Sequence, residues 1–128
     1  MTSDPVRWTA CAVGGFQLLA NAAVLARGLT KIPELVAKEG ATERMADLFR
    51  VGWIYGVLPN LCISVALLLL ASPAGAGDPL ARRIVALIGG YYVVLGPASY
   101  AFAVQRHRGL LVYAALGAAL IGTLVASA

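Results

Sequence analysis

The sequence predicts an all-α integral membrane protein: four transmembrane helices in a bundle, forming a single domain over residues 1–128. Three observations predict it. Of the 128 residues, 60 % are hydrophobic and 12 % charged, against roughly 45–50 % and about 25 % in a soluble domain. Mean hydropathy is +0.82, more apolar surface than so small a chain can hide from water. Charged residues also part around four runs, 8–26, 51–77, 84–105 and 109–128, that contain none. Each run reaches the roughly 20 residues that a helix needs to cross about 30 Å of hydrocarbon. These features exclude a disordered chain, a disulfide scaffold and a water-soluble domain.

The spans fall near 7–27, 49–71, 82–104 and 109–127. At that depth no water satisfies the backbone, so each run should be helical, and the alternation of a barrel strand is absent. The first span is expected to be retained rather than cleaved, because Asp4 and a single arginine precede it and no small-x-small site follows. Residues 31–47 read as a short interfacial helical segment. Pro33 suits a first turn, Gly40 a C-cap, and Thr42 an N-cap for a helix running through Glu43, Arg44, Asp47 and Arg50 into span two. Residues 72–79, rich in Gly, Pro and Ala, form a turn. The brief connection from Gln105 to Arg108 makes spans three and four an antiparallel hairpin.

Lysine and arginine set the orientation. Arg27, Lys31, Lys38, Arg44, Arg50, Arg106 and Arg108 occupy the first and third connections, whereas Arg7, Arg82 and Arg83 lie on the other side. Seven against three places both termini on the non-cytoplasmic side, and a bacterial inner (plasma) membrane is the expected location. The net charge of +4 suits span-end cations that meet lipid headgroups, and no nucleic-acid partner is expected.

Between the interfaces there is no Asp, Glu, Lys, Arg or His. That removes the usual proton relay, a zinc ligand set and a carboxylate-ringed cation pore. His107 is the only histidine, which excludes bis-histidine haem. No metal or other cofactor is expected. Cys11 and Cys62 form no CxxC pair and read as small packing residues.

The remaining polar residues group by depth. Gln17, Asn60, Tyr91 and Tyr92 fall near the midplane, and Asn21 lies one turn from Gln17 on the same face. Gly52, Gly56, Asn60 and Ser64 recur every four residues, and Gly89, Tyr92, Gly96 and Ser99 share a face of span three. One reading is structural: small residues admit close helix approach, amides bond across, and Ala118, Gly122 and Ala126 mark a further seam. The other is functional: Gln17, Asn21, Asn60 and Tyr92 line an intramembrane pocket for a small uncharged or lipophilic molecule. Pro59 and Pro97 each free a backbone carbonyl inside a span. For the one near residue 55, Asn60 or Gln17 is the expected donor.

Catalytic groups are sparse. No GxSxG elbow, Ser/His/Asp set or phosphate-cradling glycine loop occurs. The acid–base candidates are Glu43, Asp47 and His107, all near the cytoplasmic surface, and would suit a cofactor-free isomerase or cyclase taking a lipophilic substrate at the interface. In size and span number the chain is similar to small multidrug transporters and double-barrelled fluoride channels. Gln17 and Asn21 stand where the former carry a carboxylate, and Tyr91, Tyr92 and Tyr100 where the latter are Phe-rich, so no residue role carries over. The expected partners are membrane lipid and a small lipophilic or uncharged molecule. Self-association as a homo-oligomer, or docking as an accessory subunit of a larger membrane complex, is expected from the small-residue seams.

Overall fold

A computed structural model describes residues 4–40, 42–73, 77–102 and 108–128. The described chain is helical, without strands, and has four helices long and apolar enough to cross a membrane. They are α1 (Pro5–Lys38), α2 (Glu43–Leu70), α3 (Pro79–Phe102) and α4 (Val112–Ala126), with a 3₁₀ turn at Arg108–Leu111 leading into α4. This is the class expected of a four-helix membrane bundle. No more than 28 % of any spanning window is buried inside the protein, and outward-facing residues include Leu19, Leu69, Leu87, Val94 and Val125. Such surfaces require a hydrocarbon solvent.

Two helices begin with the same dipeptide. Asp4-Pro5 opens α1 and Asp78-Pro79 opens α3. In each, the aspartate Oδ1 accepts the N–H two residues on, Val6 at 3.0 Å and Leu80 at 2.8 Å. Proline contributes no N–H where the helix offers it no acceptor. Thr42 caps α2 as expected, its Oγ1 accepting the Met45 N–H at 3.4 Å.

Residues 31–38 and 43–47 are helical, but as extensions of α1 and α2 rather than as a separate interfacial piece. Pro33 lies inside α1 instead of opening a new helix. Proline removes one backbone hydrogen bond but keeps a helical φ. Here Glu34, Leu35, Ala37 and Lys38 favour continuation, and Lys31 Nζ pairs with Glu34 Oε2 at 3.2 Å. Gly40, with φ +69°, then ends the run in the left-handed conformation that glycine tolerates. At 34 residues, α1 is about 51 Å long, some 20 Å more than the hydrocarbon requires. The charged end of α1 and the first turns of α2 therefore belong at or beyond the headgroups.

The chain divides into two compact units, one of residues 1–13 with 66–128 and the other of residues 14–65. In the first, α3 and α4 form the antiparallel hairpin that the short connection implies. Gly96 meets Ala114, and Gly89 meets Gly117, Leu120 and Ile121, so later residues of α3 face earlier ones of α4. A Cβ at Gly117 would stand 2.7 Å from the Val93 nitrogen, too close for any other residue. The packed glycine of α4 is thus Gly117, whereas nothing approaches Gly122 within 4 Å. Arg7 Nε donates to the Ala71 carbonyl at 2.6 Å, and Arg82 Nη2 to Ser127 Oγ at 3.0 Å. An arginine in the first turns of one helix thereby satisfies the C-terminal end of its neighbour, where helix dipoles favour a cation.

Candidate functional site

Gln17, Asn21 and Asn60 belong to the unit 14–65, and Tyr92 to the other. Gln17 and Asn21 come together. They are 3 % and 4 % exposed, and Asn21 Nδ2 donates to both the Gln17 carbonyl at 2.7 Å and Gln17 Oε1 at 2.8 Å. Unpaired burial of such an amide costs roughly 2–7 kcal/mol, so this bond lets a polar pair sit in an apolar helix. Asn60 turns to its own helix, Nδ2 donating to the Gly56 carbonyl at 3.3 Å. That is one residue beyond the carbonyl near residue 55 that the sequence marked as freed by Pro59. Its Oδ1 is buried and accepts no hydrogen bond among the described residues. Ser64, fully buried, donates to the Asn60 carbonyl at 2.7 Å.

Tyr92 is fully buried. Its ring lies 5.6 Å from both Tyr91 and Tyr113, at tilts of 42° and 47°. The contact between Tyr92 and Tyr113 joins α3 to α4, so Tyr113 is part of the hairpin's packing. Trp8 and Tyr55 are exposed. Cys11 and Cys62 are free and exposed rather than packed inside.

Of the acid–base candidates, Glu43 and Asp47 are exposed on the first turns of α2. Asp47 Oδ1 accepts from Arg50 Nη1 at 3.3 Å. His107 lies outside the described residues, as do Gln105 and Arg106. No three His, Cys, Asp or Glu side chains converge among the described residues.

Within the unit 14–65, two apolar concavities lie at the α1–α2 hairpin. A cleft of about 570 Å³ is lined by Ile32, Leu35, Val36, Met45 and Phe49, with Glu39 as its one charged neighbour. On the other side of Ile32 and Leu35 a second, of about 590 Å³, extends past Gly28 to Trp53. Trp53 sets the wall between the helices. Its indole occupies the space of an absent Gly28 side chain, and Nε1 donates to the Val24 carbonyl at 3.2 Å. The sequence reading takes residues 31–47 as an interfacial helical segment. It misses the cleft because Met45 and Phe49 join Ile32, Leu35 and Val36 only once the chain reverses at Gly40. The signal available in the sequence was the apolar spacing of Ile32, Leu35 and Val36 facing that of Met45 and Phe49 across a glycine turn. The chain matches no protein-family model, no curated protein and no solved structure, so its chemistry is read from its own residues.

Proposed function

We propose that this membrane protein binds a small lipophilic molecule, and that the α1–α2 cleft rather than the midplane amides receives it. The observation that carries the reading is the cleft itself: about 570 Å³ with five apolar side chains and one carboxylate, Glu39. Ligand sites commonly enclose about 300–1,000 Å³ and combine an apolar lining with few oriented polar groups. Glu39 selects for a hydroxyl, amide or cationic head above an apolar body. By contrast, Asn21 Nδ2 is engaged by Gln17 and Asn60 Nδ2 by the Gly56 carbonyl. The length of α1 puts the cleft near the headgroups, where an amphiphile can enter from the bilayer.

The test is photolabelling with a diazirine-bearing decylamine in phosphatidylcholine nanodiscs, mapped by mass spectrometry. Label should concentrate on residues 32–49 and fall several-fold in Val36→Phe, which fills the cleft, and in Glu39→Gln. Uniform labelling of every lipid-facing helix would overturn the reading. We further propose that both termini face away from the cytoplasm in a bacterial inner membrane, supported by the seven-to-three division of Lys and Arg between the two sides. Impermeant thiol labelling of a cysteine placed at Ala128, in a Cys11→Ser/Cys62→Ser background, from either side of sealed vesicles reads this directly.

A further inference from the structure

Six side-chain carboxylates are present in the chain, and four of them, Glu34, Glu39, Glu43 and Asp47, lie in the unit 14–65. The other unit retains Asp4 and Asp78 against Arg7, Arg82, Arg83 and Arg108 among its described residues. Two of these arginines share one cavity. Arg7 from α1 and Arg82 from α3 line it together with Asp4, Val6, Ala10 and Ala81. Both are partly buried, and neither forms an ion pair among the described residues. Arg7 spends Nε on Ala71 and Arg82 spends Nη2 on Ser127. Each hydrogen bond fixes a guanidinium while leaving further N–H donors of the fork.

Two fixed, half-buried cations beside one carboxylate leave a net charge of +1 at the cavity, in surroundings of lowered dielectric where like charges repel. An oxyanion removes that repulsion, and guanidinium forks match phosphate geometry. We propose that Arg7 and Arg82 form a binding site for a phosphate oxyanion at the membrane surface. The cavity is open on one side and has a volume of about 20 Å³, room for about one oxygen-sized atom. One phosphate oxygen enters and the rest of the group stays at the rim. That geometry is met by the phosphodiester of a lipid headgroup and also by free phosphate, and the arms of the experiment separate them.

The experiment uses the delipidated full chain in detergent, with thermal unfolding and native mass spectrometry as readouts. The probes are dioleoyl-phosphatidylglycerol, dioleoylglycerol and millimolar inorganic phosphate. Phosphatidylglycerol should bind and raise the unfolding temperature. A response to it alone identifies the headgroup source, and an equal response to inorganic phosphate identifies the free anion. Arg7→Gln and Arg82→Gln should each weaken binding about tenfold, the loss of one charge-assisted contact. Arg83→Gln removes the same charge from an exposed position outside the cavity and should leave affinity unchanged. Ser127→Ala breaks the Arg82 hydrogen bond without removing the cation, and it keeps the proposal testable if Arg7→Gln fails to fold. Equal stabilisation by dioleoylglycerol, no binding of either phosphate probe, or a loss in Arg83→Gln or Ser127→Ala as large as in Arg82→Gln would each overturn the site.

Discussion

The indole of Trp53 stands where a side chain on Gly28 would be, and its Nε1 holds the Val24 carbonyl at 3.2 Å. Glycine in a helix interior ordinarily costs about 0.5–1 kcal/mol relative to alanine. Gly28→Ala should therefore stabilise α1 if the site were open. Because the ring is already there, the substitution is expected to lower stability by about 1–3 kcal/mol, the range for overpacking. Thermal unfolding in one detergent checks the sign. Tryptophan emission in a Trp8→Phe background should red-shift as the indole is displaced.

The α3–α4 hairpin makes a paired prediction. Gly117→Ala places a methyl within 3 Å of Val93 and should destabilise by about 1–3 kcal/mol. Gly122→Ala meets open space and should be neutral or gain up to about 1 kcal/mol. Unfolding of the two variants side by side separates packing from propensity, and equal behaviour would contradict the observed seam.

The buried amides should be coupled. Gln17→Leu and Asn21→Leu each remove the side-chain bond between Asn21 Nδ2 and Gln17 Oε1, so a double-mutant cycle should return a favourable interaction of about 0.2–0.5 kcal/mol, the range for an amide pair one turn apart on a helix. An interaction energy of zero would mean that the 2.8 Å contact between Asn21 Nδ2 and Gln17 Oε1 contributes nothing to stability.

Two classes of aspartate should differ sharply. Asp4→Ala and Asp78→Ala remove N-caps and are expected to cost about 0.5–2 kcal/mol each. Asp47→Ala removes an exposed pair with Arg50 at 3.3 Å, a class of contact worth about 0–1 kcal/mol. Urea or thermal midpoints of the three variants provide the comparison.

Much of this architecture was legible in the residues. Four uncharged runs of sufficient length can be satisfied in lipid only as helices, so span number and helical class follow from hydropathy and backbone hydrogen bonding. The α3–α4 hairpin followed from its short connection, and the Thr42 cap and the Gly40 terminus from local chemistry. Local rules were weaker at Pro33, where a single lost hydrogen bond was outweighed by the helix formers around it. The two Asp-Pro starts are local signals of the same kind as the Thr42 cap, an N-cap carboxylate followed by a first-turn proline.

Tertiary structure decided which of several similar residues does what. Glycines 117 and 122 are chemically identical, and only the approach of Val93 distinguishes them. Trp53 in α2 becomes a wedge against Gly28 only through a contact 25 residues away in the chain. Arg7 and Arg82 are ordinary span-end cations until folding brings them to one cavity. Hydropathy and helix periodicity are set by neighbours within a few residues, and they determined the solvent, the spans and the helix ends. Close packing and shared charge depend on residues distant in sequence, and those belong to the fold alone.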